Sequence, residues 1–314
     1  MRDEMTILCK ALNLTPDEAG GWSGPAITHS GPGIPFEGRT RLLPPGTALR
    51  WRHTTADTLL FFHSGGTLAV HLHDSSDGTP TVMLGDGEAA GTLPQYVLPA
   101  HVSHTLLPPP GQYTLFTEAV VPGRPDWTYE REHRAAHTRP LPSSLRAGSL
   151  RDGPSLIESL FLEEHVEGGY YRQTYESDGT LRTPRGERLL ANSIIYLLDT
   201  RSPIGHLHRN ESDITHFVHG SDPIRYLMVD LDGVLHEQVL GIDTANGEVP
   251  VFTCPGGWWK CSSLPDGVTQ GLISEVVAPG FDFADQELLT VHSLATSFPH
   301  LEDRLRPYTL SHAG

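Results

Sequence analysis

The sequence is poor in cysteine and contains no long apolar segment. Three cysteines in 314 residues, Cys9, Cys254 and Cys261, provide neither a disulfide framework nor the paired spacing of a zinc site. No apolar run approaches the roughly 18 residues that a membrane-spanning helix needs. The first residues, MRDEMTILCKALNL, lack the charged-then-apolar order of a signal peptide. These absences predict a cytoplasmic protein that has no membrane partner.

Basic residues are also scarce. The formal net charge is -16, with 38 acidic residues against 22 lysines and arginines. Nucleic acids and anionic membranes attract basic surfaces, so this balance argues against both as partners and favours a small molecule. Only Lys10 and Lys260 are lysines, and Lys260 falls within a motif described below.

The second half of the chain repeats the first. Seven landmarks recur in the same order, at an offset of 148 for the first and 155 to 157 for the others. The landmarks are Gly20-Gly21 and Gly168-Gly169, His53 and His208, Asp77-Gly78 and Asp232-Gly233, Leu84-Gly85 and Leu240-Gly241, Pro99 and Pro255, Glu118 and Glu275, and Pro122-Gly123 and Pro279-Gly280. Chance agreement over seven landmarks is improbable, so we interpret the pattern as a tandem duplication.

Both halves have the pattern of a β-protein. Each opens with a helix-like segment, at Thr6–Leu14 and Ser155–Glu164, followed by short strand-like runs between Gly, Pro and Asp turns. No long crossover helix suggests a parallel sheet, so the pattern predicts an all-β sandwich or barrel. Between the halves, periodicity is lost and Arg, Ser and Pro accumulate. The predicted divisions are a first domain at 1–126, a linker at 127–154, a second domain at 155–295 and a tail at 296–314.

Several stretches of the second half resemble one family of β-proteins. The matching stretches are EEHVEGGYYRQTYES (163–177), SIIYLL (193–198), HRNESDITHFVHGSDP (208–223), VLG (239–241), CPGGWWKCS (254–262) and VVAPGFDF (276–283). Together they resemble the Cupin type 5 family, a group of unknown function within the cupin superfamily. The first half matches through the internal repeat and resembles a diverged copy, so the chain looks like a bicupin.

The resemblance implies two double-stranded β-helix (jelly-roll) domains in tandem, each with a pocket at the barrel mouth. It does not imply one reaction, because cupin barrels host oxygenases, isomerases, epimerases, lyases and binding proteins. A fused pair of barrels also resembles the dimer that single cupins form, so monomer and homodimer both remain open.

The second half contains a potential metal-binding motif. His206 and His208 are two residues apart and would face the same side of a strand, and Asp213 follows after a turn. Two histidines and one carboxylate form the facial triad of non-haem iron enzymes, which makes iron or manganese a candidate cofactor. Metal-binding cupins carry a further histidine in a later motif, where this chain has Lys260. A metal-free polar pocket is therefore the alternative.

Lys260 ends the motif Pro255–Lys260 and is predicted to point into the barrel. Desolvation lowers the pKa of a lysine, which would make the neutral amine available as a base or as an imine-forming nucleophile. The amine could instead stay charged and bind a carboxylate, or lie on the outer face of its strand. We predict His208 and Lys260 as acid–base residues, with Asp213 as an orienting carboxylate.

The segment Glu167–Arg172 supplies further candidates for substrate binding. Its two glycines indicate a close backbone approach or a positive φ. Arg172 carries a planar guanidinium suited to a carboxylate or phosphate, and Glu167 and Tyr171 lie nearby in the chain. An ion pair between Glu167 and Arg172 is the alternative. Trp259, next to Lys260, is a further predicted substrate contact.

Two histidines follow Asp213 on the next predicted strand. Alternation places residues 213, 215, 217 and 219 on one face, so His219 rather than His216 is predicted to face inward. Histidines at such positions often serve packing alone, so both are secondary candidates.

In the first half, the repeat matches His53 with His208 and His104 with Lys260. Two histidines without a carboxylate are too few to predict a metal site. We therefore interpret the first domain as mainly structural, with a face buried against the second.

These residues support three functions of different classes. The leading hypothesis is an enzyme of the isomerase, epimerase, cyclase or lyase type that moves protons on a small polar or anionic metabolite in the second barrel. The second hypothesis is a metal-dependent oxygenase that uses His206, His208 and Asp213. The third is a cupin that binds a small molecule without converting it.

Overall fold

Short strands form most of the structure, a computed structural model that describes residues 2–29, 35–73, 80–89, 91–129 and 155–310. They fall into two compact units that divide between Ser159 and Leu160. Alternating apolar residues and frequent Gly, Pro and Asp turns favour strands of this length in both units. No helix in the described ranges is long and apolar enough to cross a membrane.

The first unit begins with a helix and continues in strands. Its elements in the described ranges are α1 (Arg2–Ala11), β1 (Thr15–Pro16), β2 (Trp22–Ser23), β3 (Ile27–Thr28), β4 (Glu37–Leu43), β5 (Arg52–Thr54), β6 (Asp57–Gly65), β7 (Leu68–Leu72), β8 (Thr81–Leu84), β9 (Thr92–Leu93), β10 (Gln95–Leu98), β11 (His104–Leu107), β12 (Thr114–Val121) and β13 (Trp127–Tyr129). One sheet has the order β1-β2-β4-β12-β6-β10, with β3 beside β4, and the other has the order β13-β5-β11-β7-β8-β9. Side chains of both sheets, including Leu60, Val70, Leu106 and Phe116, share one buried core.

The second unit repeats this plan and adds C-terminal helices. Helix α2 (Leu156–Ser159) ends at the division between the units. The described elements after it are β14 (Glu163–Glu164), β15 (Tyr170–Glu176), β16 (Thr180–Thr183), β17 (Gly186–Leu189), β18 (Asn192–Asp199), β19 (Ile204–Asn210), β20 (Asp213–His219), β21 (Ile224–Val229), β22 (Leu235–Leu240), β23 (Val251–Cys254), β24 (Trp259–Ser263), β25 (Gln270–Ala278), β26 (Gln286–Leu288), α3 (Val291–Ser297) and α4 (Glu302–Leu305). Short 3-10 helices lie at Thr244–Asn246, Phe283–Asp285, Pro299–Leu301 and Arg306–Tyr308.

Two sheets of the second unit enclose the barrel interior. Their orders are β14-β15-β18-β25-β20-β23 and β22-β21-β24-β19-β26, and β16 and β17 form a separate hairpin. The inner face of both sheets packs around Tyr196, Val218 and Tyr226. The outer face of the second sheet packs against the C-terminal helices through Leu294 and Leu305. Each unit therefore forms one of the two jelly rolls that the sequence predicts in tandem.

Several predicted boundaries differ from the structure. Trp127–Tyr129 form strand β13 instead of opening the linker, because the alternating aromatic residues pair with β5 and the Trp127 ring lies 4.3 Å from the Arg52 guanidinium carbon. The rest of the predicted linker up to 154 lies outside the described residues. The predicted helix at Ser155–Glu164 stops at Ser159, since Phe161 adopts a left-handed φ of 56°. The predicted tail includes α4 and contributes to the second unit.

Candidate active site

A cavity of about 110 Å³ lies in the barrel of the second unit. Its wall combines neutral polar, ionisable and apolar side chains, which include residues of β15, β18, β19, β20 and β25. Three of the residues predicted from the sequence line it, namely Glu167, Tyr171 and His208. Its apolar wall is formed by Ile194, Ile214, Val277, Phe281 and Phe283. This mixture of groups is typical of a binding site for a small polar molecule.

Two glycines bring Glu167 to the cavity. Gly168 and Gly169 have φ angles of 93° and 73°, which confirms the expected positive φ. A Cβ atom on Gly168 would lie 2.3 Å from the carbonyl oxygen of Ile204, so the backbone approaches β19 closely. This approach allows the Glu167 carbonyl to accept a hydrogen bond from the backbone N–H of His206 at 2.6 Å. The Nδ1 atom of the His206 ring also bonds that carbonyl, at 2.9 Å.

Gly168→Ala is expected to lower the free energy of unfolding by about 2–3 kcal/mol, because a collision with β19 adds to the cost of positive φ. Gly267→Ala is the matched control, since Gly267 has a φ of 84° and no described atom within 4 Å of its Cβ position. The control therefore reports the backbone cost alone. Urea denaturation measures both variants, and equal losses would show that the approach to β19 tolerates a methyl group.

The Glu167 carboxyl group contacts the imidazole of His208. Oε2 of Glu167 lies 3.2 Å from Nε2 of His208, and Oε1 accepts a hydrogen bond from the side-chain amide of Gln286. On the other side of the ring, Nδ1 of His208 donates to the backbone carbonyl of His206 at 2.7 Å. That bond fixes the proton of the neutral imidazole on Nδ1 and leaves Nε2 as an acceptor. The contact is therefore favourable when Glu167 is protonated and donates to Nε2.

Burial shifts both groups toward their neutral forms. Burial raises the pKa of Glu167 to about 8; Lys260 and Gln286 oppose the shift, and the negative charge of Glu275 adds to it. Burial, followed by the charge of Lys260, lowers the pKa of His208 well below its ordinary value. At neutral pH the pair is thus a carboxylic acid beside a neutral imidazole, and it holds one transferable proton at the cavity wall.

Behind the cavity wall, Lys260 is the centre of a buried charge cluster. Lys260 is the cross-strand partner of His208, and only 4% of its side chain is exposed. Its Nζ donates to Oε1 of Glu275 at 3.1 Å and to Nε2 of His216 at 2.9 Å. These two acceptors lie 3.1 Å apart. Lys260 therefore points into the barrel, as predicted.

The cluster keeps Lys260 charged, which corrects the prediction of a neutral amine. Burial alone would lower the pKa of Lys260, but Glu275 and Glu167 outweigh it and the pKa is raised. Burial also opposes ionisation of Glu275, yet the ammonium of Lys260 overcomes it and lowers the pKa of Glu275. Burial and the nearby ammonium lower the pKa of His216 to about 4. Lys260 is therefore a charged partner of Glu275 and not an available base.

The predicted metal ligands His206, His208 and Asp213 do not converge. His208 lines the cavity, whereas the His206 ring bonds the Glu167 backbone and Oδ1 of Asp213 accepts from the Gly256 N–H at 2.7 Å. A β-bulge between Gly205 and His208 interrupts the alternation that would have aligned the two histidines. No group of three His, Cys, Asp or Glu side chains in the described ranges is arranged to hold a metal. The residues present do not fit the iron or manganese site that the motif predicts.

Arg172 and Trp259, two predicted substrate contacts, point away from the cavity. Arg172 lies between Tyr171 and Gln173, which both line the cavity, so its side chain leaves the opposite face of β15. Trp259 packs with Leu207 in the apolar cluster under the C-terminal helices. The adjacent position in β24 faces inward, so alternation sends Trp259 outward. Neither residue can contact a molecule in this cavity.

Strand β20 faces the cavity with its even-numbered residues, whereas the sequence predicts the odd-numbered ones. Ile214 lines the cavity and His216 contacts the buried amine, so the even-numbered residues face inward. Asp213 and His219 lie on the other face, where Nε2 of His219 is 2.8 Å from a serine hydroxyl of β25. The side chains of β20 do alternate between the two faces, as predicted. The burial of Ile214 and His216 determines that the even-numbered residues face inward. The prediction that His219 faces inward is therefore wrong.

Other residues of the site had weak or no signals in the sequence. They are His165, Tyr196, His216, Glu275 and Gln286. Glu275 is a landmark of the repeat, matched with Glu118, so an acid retained in both halves was the available signal. His165 lies within a stretch that resembles the family. Tyr196, whose hydroxyl donates to the Gly168 carbonyl at 2.8 Å, lies in another such stretch, SIIYLL (193–198).

In the first unit, Arg52 rather than His53 occupies the position of His208. Arg52 is the cross-strand partner of His104, as His208 is of Lys260. The repeat alignment is therefore wrong by one residue at this strand, because landmark spacing does not determine strand register. The match between His104 and Lys260 agrees with the register. Burial, and then the charge of Arg52, lowers the pKa of His104 to about 4.

Known proteins share this sequence pattern. The profile described as Cupin superfamily (DUF985) matches residues 40–126 and 154–289. The uncharacterized protein YML079W of Saccharomyces cerevisiae is 35% identical over 173 residues, which cover 49% of this chain and 86% of the yeast protein.

Two solved structures are similar to parts or most of this chain. A hypothetical protein from Leishmania major is 31% identical, and the match covers 49% of this chain and 97% of that one, with a TM-score of 0.47. Oxalate decarboxylase from Bacillus subtilis is 12% identical, and the match covers 93% of this chain and 80% of that one, with a TM-score of 0.50. The second likeness shows the fold alone. With the family profile matched in both units, the chain belongs to the Cupin_5 (DUF985) family of the cupin superfamily, in a tandem arrangement.

Proposed function

We propose that the second unit is an enzyme that moves a proton on a small polar substrate, with Glu167 and His208 as donor and acceptor. The reaction class is isomerisation, epimerisation, cyclisation or elimination, each of which needs proton transfer. The observation that carries the proposal is the 3.2 Å contact between Oε2 of Glu167 and Nε2 of His208 at the cavity wall.

The protonation states of the pair suit acid–base catalysis. Transfer is most efficient when the pKa of the donor is near the working pH, and Glu167 has a pKa of about 8. At neutral pH the carboxyl group of Glu167 can give its proton to a substrate, which leaves Nε2 of His208 without its donor and able to accept a proton. Both residues are buried, at 8% and 5% exposure, which limits exchange of the proton with bulk water.

Lys260 and Glu275 supply a fixed field instead of a reacting group. The ammonium favours the ionised form of Glu167, so it stabilises the carboxylate that remains after proton donation. Because Glu275 balances the ammonium, the cluster changes the net charge of the site little. Lys260 is therefore a positioning residue of the site, and His208 and Glu167 are the reacting groups.

The cavity wall favours a polar substrate without strong charge. Glu167 and His208 are neutral at neutral pH, and Lys260 and Glu275 compensate each other. No arginine of the described chain lines this cavity, and Arg172 points away from it. A small metabolite with hydroxyl or carbonyl groups matches these surroundings better than an anion.

Deuterium exchange tests the proposal without knowledge of the natural substrate. Small hydroxycarbonyl compounds and sugars that raise the melting temperature of the protein are incubated with it in D₂O and followed by proton NMR. We expect a bound compound to exchange a C–H for deuterium or to be converted. Glu167→Gln is expected to slow this reaction about 10²–10³-fold with little effect on binding, because the amide keeps the shape but has no acidic proton.

Glu164→Gln, which removes an exposed carboxylate of β14, is the matched control and should retain the rate. Equal rates in Glu167→Gln and the wild type would remove Glu167 from the reaction. Ligands that bind without exchange or conversion would identify the second unit as a binding protein instead.

A further inference from the structure

The first unit contains a larger cavity of different character. Its volume is about 390 Å³, compared with about 110 Å³ in the second unit. Four arginines line it, Arg39, Arg41, Arg52 and Arg124. The sequence predicts a mainly structural role for this half, yet the larger cavity has room for a small organic molecule.

Two of the arginines are buried and fixed in place at the inner end. The Arg41 and Arg52 side chains are 4% and 2% exposed, and both contact the carboxylate of Glu118. Arg41 also pairs with Asp17 at 3.0 Å, and the Arg52 guanidinium stacks on Trp127 at 4.3 Å. Each guanidinium has five N–H donors, and the Nε atoms of both have no hydrogen-bond partner among the described residues. Both arginines line the cavity and their guanidinium groups are held rigidly by these contacts, which suits them to anion binding.

The other two arginines are accessible. The Arg39 side chain is 45% exposed and pairs with Glu37 at 3.1 Å, and Arg124 is exposed. The lining holds three carboxylates, Asp17, Glu37 and Glu118, against four arginines, which leaves one positive charge in excess. This excess lies in a chain whose formal net charge is -16. The cavity is therefore a local site where the protein favours negative charge.

The two cavities differ because the matched buried acids, Glu118 and Glu275, have different cationic partners. Glu118 and Glu275 are matched acids of the repeat, and both are buried against a cation. In the second unit that cation is a single ammonium, and a neutral histidine lies at the strand position held by Arg52 in the first. The replacement by Arg52 brings a guanidinium to the cavity wall. The cavities are therefore suited to different molecules.

We infer that the first unit binds a small organic anion in this cavity, through its carboxylate or phosphate group. The buried guanidinium groups of Arg41 and Arg52 would orient the anionic oxygens, and Arg39 and Arg124 would close around the remainder. Trp127 and Tyr129, which also line the cavity, supply an apolar surface for the carbon skeleton. The first barrel is then a second ligand site, distinct in charge from the cavity of the second unit.

Calorimetric titration of the full chain at constant ionic strength tests the inference, with succinate and inorganic phosphate as separate probes. We expect saturable binding of at least one probe. The double variant Arg39→Gln/Arg124→Gln should weaken this binding about tenfold or more, because two charge-assisted contacts are lost. Succinate binding alone would identify a carboxylate site, and phosphate binding alone a phosphate site.

The double variant Arg182→Gln/Arg304→Gln is the matched control, since both arginines are exposed in the second unit and their replacement removes the same two charges. It should bind the probes like the wild type, and circular dichroism checks that each variant is folded. No saturable binding of either probe would overturn the inference. Equal affinity in the double variant and the wild type would place the anion elsewhere and overturn it as well.

Discussion

Lys260→Met is expected to lower the free energy of unfolding of the second unit by about 3–5 kcal/mol, because it leaves Glu275 as a buried carboxylate without its ammonium. The Lys260 and Glu275 side chains are only 4% and 12% exposed, so water cannot replace the lost partner fully. Urea denaturation near neutral pH measures the loss. Hydrogen–deuterium exchange of peptides from β20 and β25 locates it in the second unit.

The other lysine of the chain is the matched control. Lys10 is exposed on α1, so Lys10→Met should change stability by less than about 0.5 kcal/mol. Combining Lys260→Met with Glu275→Gln should recover a large part of the loss, since both buried charges are then removed together. A loss below about 1 kcal/mol in Lys260→Met would contradict the prediction, because exposed ion pairs have that magnitude.

Glu167→Gln is expected to gain stability relative to the wild type as the pH rises. The folded wild type holds the Glu167 proton up to a pKa of about 8, while the unfolded chain releases it near the ordinary 4.5. The stabilising contribution of the protonated carboxyl is therefore complete below about pH 4.5 and is lost as the pH rises through about 8, at up to about 1.4 kcal/mol per pH unit. The Gln amide does not titrate and can still donate to Nε2 of His208.

Urea denaturation of both proteins at about pH 5.5, 7 and 8.5 measures this difference, which should grow by about 3 kcal/mol over that range, because most of the change falls below the pKa of about 8. Other titrating groups are common to both proteins and cancel. Glu164→Gln, which removes an exposed carboxyl group nearby, reports the effect of the lost charge alone. A difference that does not depend on pH would show that Glu167 is ionised in the folded protein.

The sequence contained enough information for the fold and for most of its organisation. The repeat of seven landmarks and the family-like stretches predicted two jelly rolls, and the glycine pair at Gly168 and Gly169 predicted the unusual backbone beside Glu167. Strand β13 was not predicted, and the helix predicted at Ser155–Glu164 is longer than the observed α2. Their bounds depend on tertiary contacts with Arg52 and on one left-handed residue, Phe161, which local composition does not reveal.

The site was predicted less completely, because strand faces depend on register and phase. A bulge after Gly205 and an inward phase set by Ile214 separated His206, Asp213 and His219 from the cavity. The charge state of Lys260 could not be read from the sequence either. It depends on the carboxylate of Glu275, which lies 15 residues further along the chain and is brought beside Lys260 by strand β25.

Glu118 and Glu275 show how the two copies could diverge. A buried carboxylate that loses its cation destabilises its barrel by several kcal/mol. During divergence from a common ancestor, the cation that now pairs with the acid therefore had to be present before the earlier cation was lost. Glu118 still has two cationic neighbours, Arg41 and Arg52, and either can be replaced while the other remains. Glu275 is paired with one cation, Lys260, so the loss of that lysine would leave its charge uncompensated. Substitutions around the buried acid are therefore tolerated better in the first copy than in the second.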